Sequence, residues 1–331
     1  MIVRTKAYSR AGLAGNPSDG YFGKTLSVTL RNFYAEVIMY ETPDLEIIPN
    51  QRDHSYFKNM KQLVQDVQRH GYYGGIRLIK ASVKKFHDYC QEKGIVLSDK
   101  NFTVRYNSTI PVQVGLAGSS AIVTATIRAL MTFYGIEIPK PLLPGLILSV
   151  ETDEIRISAG LQDRVVQVYE GLVYMDFNKE LLESRGYGIY EPLDPNLLPP
   201  IYLAYIRNLS EISGIAHGNL RGRYMAGDKK VIDAMTYFAE RAEMARECLL
   251  AHQPDKLGQI MNENFDKRKE IFPITSLNLE MINLARSVGA SAKFSGSGGA
   301  IIGTYEDVQM FKNLKAALAE IGAEVIKPQI Y

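Results

Sequence analysis

Pro111-Val112-Gln113-Val114-Gly115-Leu116-Ala117-Gly118-Ser119-Ser120-Ala121 is the stretch on which the reading of this chain turns. A β-branched and aromatic run at Phe102–Tyr106 precedes it and predicts a strand. Ile122, Ala125, Ala129, Leu130 and Phe133 follow on one face at helical spacing. Gly115 and Gly118 carry no Cβ, so the backbone there turns tightly and approaches a ligand. Ser119 or Ser120 suits the N-cap, and a helix start presents unpaired N–H groups that favour phosphate. A capped helix after a glycine turn would look the same. The spacing fits neither a Walker loop nor a Rossmann fingerprint. Gly23-Lys24-Thr25 imitates a Walker ending, but Ser18 stands where the earlier glycine is needed.

Working outward, three more apolar stripes predict helices. They are Ile76, Ile79, Val83, Phe86 and Cys90; Val231, Met235, Phe238, Ala242, Ala245 and Leu249; and Val308, Phe311, Leu314, Leu318 and Ile321. Cys90 lies on its stripe and reads as a small core residue. Strands are predicted at Leu26–Tyr40, Leu172–Phe177, Ile201–Ile206 and Ala300–Thr304. Four of the 14 prolines fall within Glu191–Pro200, where neither helix nor central strand passes. A domain boundary is placed there, dividing the chain into 1–195 and 196–331. The second part is helix-rich and closes with strand, glycine loop, strand, helix, strand, which reads as α+β.

At 331 residues the chain has the length of about two ordinary domains. It is 46% hydrophobic and 22% charged, too apolar for an intrinsically disordered protein. With 38 Lys and Arg against 36 Asp and Glu the formal charge is +2, so no broad basic field points to nucleic acid. No apolar window approaches a membrane span, and the start lacks the apolar segment of a secretory signal. Two cysteines support neither a disulfide framework nor a four-ligand zinc site. These features predict a cytoplasmic globular protein.

Two further segments carry chemistry. Ala292-Lys293-Phe294-Ser295-Gly296-Ser297-Gly298-Gly299-Ala300 sits between apolar strands, and its glycines suit either a tight hairpin or a nest of N–H groups that binds anions. Tyr8 to Thr25 follows a first strand and contains four glycines between Gly12 and Gly23, with Arg10, Asn16, Ser18 and Asp19 among its polar groups. A loop this long and polar more often serves a site than connects elements.

Taken in order and at their separations, these three segments resemble the three motifs of the GHMP kinases, the small-molecule kinases that include galactokinase, homoserine kinase, mevalonate kinase and phosphomevalonate kinase. Within that family the wording is similar to the plant-type glucuronokinases. The similarity covers nearly the whole chain and rests on Gly15-Asn16-Pro17-Ser18-Asp19, Gly71-Tyr72-Tyr73-Gly74-Gly75, Gly115 to Val123, Ala159-Gly160-Leu161-Gln162-Asp163-Arg164-Val165, and Ala292 to Ala300. The resemblance implies a two-domain α+β fold with the active site in the interdomain cleft. It also implies transfer of phosphate from ATP, with Mg²⁺, to the anomeric hydroxyl of D-glucuronate, for UDP-glucuronate salvage. The implied partners are a sugar acid and ATP, with no nucleic acid and no membrane.

Roles follow from the same resemblance. Gly115, Leu116, Ala117, Gly118, Ser119 and Ser120 would hold the ATP phosphates, with Lys293, Gly296, Gly298 and Gly299 closing the pocket. Ser120 and Glu151 would hold Mg²⁺, with Glu154 a rival for the carboxylate. Asp163 would face the acceptor hydroxyl and take or orient its proton. Arg10 would stabilise charge between Asp163 and the γ-phosphate. Asp19, with Asn16 and Ser18, would bind sugar hydroxyls.

Two departures matter. Ala117 adds one residue to the usual Gly-Leu-Gly-Ser-Ser-Ala loop, as it does in glucuronokinases, and Asn16-Pro17 replaces the Glu-His pair of galactokinase, which argues against galactose. A sugar carboxylate calls for a cation, and Arg207, Arg221, Arg223, Lys24 and Arg31 are all open candidates. A heptose 7-phosphate, galacturonate, or a silent sugar sensor remain the rival readings. Hydrolase motifs are absent from the sequence, and its five histidines are scattered.

Overall fold

Strand β1 (Ile2–Ala14) and the 19-residue strand β2 (Lys24–Thr42) open the chain. They belong to a computed structural model that describes residues 1–50, 53, 60, 74–207 and 220–331. Tyr72 and Tyr73, in the second similar stretch, lie outside the described residues. The described chain forms two compact units, each assembled from separate stretches: residues 1–9, 33–110 and 117–168, and residues 10–32, 111–116 and 169–331.

In the first unit the second half of β2 pairs antiparallel with β4 (Asn101–Ser108), and β3 (Glu46–Ile48) adds parallel to β4. The helices α1 (Gly75–Glu92) and α2 (Gly118–Tyr134) pack together. The predicted stripe of α1 is borne out at Ile79, Phe86 and Cys90, which are buried. Burial pushes the Cys90 thiol above its ordinary range, as expected of a core residue. Helix α2 is buried over most of its circumference, so its hydroxyls bond internally: Thr126 Oγ1 donates to the Ile122 carbonyl at 2.8 Å. Phe102 of β4 meets Phe133 of α2 edge-on, centroids 5.5 Å apart. Removing either ring should cost about 3–5 kcal/mol. A short helix α3 (Leu143–Ser149), a wider turn (Val150–Glu154) and α4 (Gln162–Tyr169) follow.

In the second unit the first residues of β2 pair antiparallel with β5 (Leu172–Asp176). After α5 (Lys179–Arg185) comes β6 (Ile189–Leu193), which pairs antiparallel with β5. Pro192 is thus in a strand; β6 ends its sheet, where a missing donor is tolerated. After β7 (Ile201–Tyr205) come helices α6 (Lys229–Leu250), α7 (Lys256–Ile271) and α8 (Ser276–Ser287), and then β8 (Lys293–Phe294), β9 (Ala300–Thr304), α9 (Val308–Ala319) and β10 (Glu324–Ile326). The four strands form a sheet ordered β10-β7-β9-β8, entirely antiparallel. All six predicted stripe residues of α6 are buried. The α9 stripe is narrower than predicted, because Val308 is exposed and Ile321 lies past the helix end.

Candidate active site

The long polar loop expected at Tyr8–Thr25 is half strand. Strand β1 runs to Ala14, and its last five residues are buried. Arg10 is therefore a strand residue. Its Nη1 donates to the Gly115 carbonyl at 2.8 Å and to the Ser295 carbonyl at 3.2 Å, tying two of the similar stretches together within the second unit. The Gly12 N–H also donates to the Ser295 carbonyl, at 2.7 Å. The approach is so close that a Cβ on Gly296 would stand 2.2 Å from the Gly115 oxygen. Glycine is required there by contact rather than by torsion.

Lys293 starts β8 and is fully enclosed. Its Nζ donates to the Gly12 carbonyl at 2.6 Å, to Asn16 Oδ1 at 2.7 Å and to the Phe294 carbonyl at 2.7 Å. Burial, with Arg268 and Arg10 nearby, holds its ammonium well below the usual 10.5. Arg268 of α7 went unnoticed in the sequence. It is buried, lowered to about 10 by burial, and donates to the carbonyls of Gly296 at 3.1 Å and Ser297 at 3.3 Å. A signal for it existed: Leu257, Ile260, Met261, Asn264, Phe265 and Arg268 form one helical stripe, and two polar residues on a buried stripe call for partners. Asn264 finds them in the Gly15 N–H at 2.7 Å and the Asn16 carbonyl at 3.2 Å. Among the described residues no carboxylate pairs with Lys293 or Arg268.

Because the unfolded chain binds the Lys293 proton more tightly than the folded chain does, this residue penalises folding below pH 10.5. The penalty grows as pH falls from 10.5 toward the lowered folded value. Wild-type stability relative to Lys293→Met should therefore rise with pH between 7 and 10, measured by urea denaturation. A difference independent of pH would show that the ammonium is not disfavoured.

Asn16 and Ser18 are both buried and engaged internally. Ser18 Oγ donates to the Lys24 carbonyl at 2.8 Å, and the Gly23 N–H returns to the Ser18 carbonyl at 2.9 Å. Asp19 sits half-buried in the tight turn Ser18–Tyr21.

In the first unit, α2 begins at Gly118, with Ala117 as its N-cap in a left-handed conformation at φ 60°. The expected cap, Ser119 or Ser120, is instead inside the first turn, because the inserted Ala117 absorbs the sharp turn. No side chain caps the first N–H groups. The strained Ala117 is held through its carbonyl, which accepts from Gln167 Nε2 at 3.0 Å and Ser120 Oγ at 3.1 Å. Gln167 is in turn fixed by Thr124 Oγ1 at 3.2 Å.

Glu151 is fully buried, whereas its rival Glu154 pairs at the surface with Lys84 at 3.0 Å. One Glu151 oxygen accepts from the buried Arg164; the other, Oε1, is buried with no hydrogen-bond partner. A buried carboxylate oxygen without a partner is of the kind that suits a hard cation. Asp163 stands in the first turn of α4 with its carboxylate 19% exposed and 3.5 Å from Arg164 Nη1. Arg164 also donates to the Gly160 carbonyl at 2.9 Å, so the guanidinium ties the Glu151 turn to the start of α4.

Comparisons with known proteins identify the family. The profile for "GHMP kinases N terminal domain" matches residues 77–171, and that for "GHMP kinases C terminal" matches residues 245–323. A probable glucuronokinase 2 of Arabidopsis thaliana is 46% identical, covering 91% of this chain and 84% of the relative. Glucuronokinase 1 of the same plant is 44% identical at the same coverage. A D-glycero-alpha-D-manno-heptose 7-phosphate kinase of Campylobacter jejuni is 25% identical over 89% of this chain and 86% of the relative. Among solved structures, a Listeria innocua protein superposes with a TM-score of 0.80 at 16% identity, covering 99% of this chain and 98% of the other. Lactococcus lactis galactokinase superposes at 0.75 with 18% identity, covering 99% and 93%. The two-domain mixed fold is that of these kinases. Both family segments in order, and 46% identity across 91% of the chain, establish that this protein belongs to the GHMP kinases.

Proposed function

We propose that this kinase transfers the γ-phosphate of ATP to the anomeric hydroxyl of D-glucuronate, giving D-glucuronate 1-phosphate and ADP. The supporting observation is the 46% and 44% identity to two Arabidopsis glucuronokinases over 91% of the chain. The heptose 7-phosphate kinase is similar at only 25%, and a silent sensor would have no need of a buried carboxylate with a free oxygen. The product would feed UDP-glucuronate salvage. A cytoplasmic location belongs to the same proposal and is supported by two buried, unpaired thiols, Cys90 and Cys248.

Phosphoryl transfer asks the protein mainly for position and charge. Gly115 through Ser120, Gly296 and Gly298 would approach the triphosphate with bare backbone and uncapped N–H groups. Arg10 and Arg268 would supply the positive field behind the glycine motif, with Lys293 buried beside them. Asp163 would take the proton as the anomeric oxygen bonds to phosphorus and the bond to the ADP oxygen breaks. Asp19 would accept from sugar hydroxyls, with Asn16 and Ser18 holding its turn in shape. Ser120 and the free oxygen of Glu151 would hold Mg²⁺, which supplies charge neutralisation on the phosphates. The division at 195/196 stands as a proposal too, lying between the two family segments.

The test is ADP release from Mg²⁺-ATP with D-glucuronate, D-galacturonate, D-galactose, mevalonate and a heptose 7-phosphate, with and without EDTA. Turnover confined to glucuronate and abolished by EDTA is expected. Preference for another acceptor discards the substrate and keeps the kinase.

A further inference from the structure

Five basic residues entered as candidates for reading the acidic group of a sugar acid, and their partners separate them. Arg207 Nε lies 2.6 Å from Glu324. Arg31 lies 2.9 Å from Glu170. Lys24 is paired with Glu243 and lies 3.9 Å from Asp176. Arg223 Nε lies 2.8 Å from Asp228, and its Nη1 donates to the Ile271 carbonyl at 3.4 Å. Each of these charges already has a carboxylate. Arg221 alone of the five has none among the described residues, and its guanidinium is exposed.

The neighbourhood of Arg221 is built rather than accidental. It lies on helical residues 220–225, one residue after the buried Leu220 and three before Tyr224. Residues three apart share a helix face, so Arg221 and Tyr224 lie side by side. The Tyr224 ring meets Tyr21 with centroids 4.7 Å apart. Both tyrosines pack on a core of Val231, Ala234, Met235, Phe238 and Ile271, which fixes the pair to α6 and α7. Tyr21 closes the same four-residue turn that carries Asp19. Burial raises the Tyr21 hydroxyl, with the positive charge of Arg221 and the negative charge of Asp19 acting on it in opposite senses. A guanidinium with no carboxylate partner among the described residues, a paired aromatic wall and a carboxylate suited to vicinal hydroxyls are thus linked through Tyr21 and Tyr224 in the second unit.

We propose that Arg221 is the specificity residue of this kinase, binding the carboxylate of the sugar acid while Asp19 accepts from its hydroxyls and Tyr21 and Tyr224 form the wall beside it. The assignment rests on the sugar-acid reading above. A planar guanidinium matches a carboxylate with two parallel hydrogen bonds, and a neutral sugar offers nothing to repay its desolvation.

The full chain carrying Arg221→Gln, Arg221→Lys or Arg207→Gln would be compared with wild type in steady-state assays against D-glucuronate, D-glucose and a heptose 7-phosphate. Arg221→Gln should raise KM for glucuronate on the order of 10- to 100-fold, the loss expected for one charged hydrogen-bonded pair. Its kcat and its KM for ATP should change little, and the discrimination between glucuronate and glucose should shrink in proportion. Arg221→Lys should recover part of the loss, and Arg207→Gln should match wild type. An unchanged KM in Arg221→Gln overturns the assignment while leaving the kinase intact. A loss confined to the heptose phosphate overturns the carboxylate in favour of a phosphate. Calorimetric binding of glucuronate separates the two readings. Binding lost in Arg221→Gln by a wild type without turnover would keep Arg221 and discard the reaction, whereas no binding by wild type would overturn both.

Discussion

Asp163→Asn should lower kcat by about 10²- to 10⁴-fold, the range supplied by a positioned general base. Asparagine has the size of aspartate but cannot take a proton from the acceptor hydroxyl. The substitution should leave the fold alone. Asp163 is partly exposed, and its neighbour Arg164 keeps Glu151 and the Gly160 carbonyl as partners. KM for ATP and the melting temperature should therefore stay close to wild type. Activity retained within about tenfold would demote Asp163 from base to orienting group.

Arg10→Met should lower kcat/KM by about 10²- to 10³-fold, comparable to losing one donor that stabilises transition-state charge. A structural cost should accompany it. The Gly115 carbonyl would lose its 2.8 Å charged donor, at a cost of about 1–3 kcal/mol, whereas the Ser295 carbonyl keeps the Gly12 N–H. Arg10→Lys separates the contributions, since it keeps the charge but not the fork. Recovery of stability without recovery of kcat would assign Arg10 to the chemistry. Parallel recovery of both would make it a staple for the loop. A wild-type rate in Arg10→Met would remove it from the mechanism altogether.

The legible part of the site was whatever depends on local backbone. Gly115, Gly118 and the apolar face beginning at Ile122 announced a loop entering a helix, and Ala300–Thr304 was a strand to the residue. Even there the cap was misplaced, because a non-glycine residue in the left-handed region, Ala117, is held by Gln167 from 50 positions away. Local preference places serine at an N-cap; a distant amide moved the helix start. The loop expected from Tyr8 onward became strand for a similar reason. Its small residues, Ala11, Gly12 and Ala14, look loop-like in sequence, yet the strand continues through them, and Gly12 leaves room for the Ser295 carbonyl that its own N–H binds.

Charge was the least legible property. Sequence supplies the number of arginines but not their partners, and five equivalent candidates became one only when Glu324, Glu170, Glu243, Asp176 and Asp228 were found beside the other four. Arg268 was hidden because its acceptors are backbone carbonyls, which every residue possesses. The sequence by itself determined the family, the order of its motifs and the residue types available for phosphoryl transfer, since these reside in local spacing and glycine placement. Only the tertiary structure decided which ionic groups are buried, which are neutralised and which remain free, because burial and pairing are set by residues far apart in the chain.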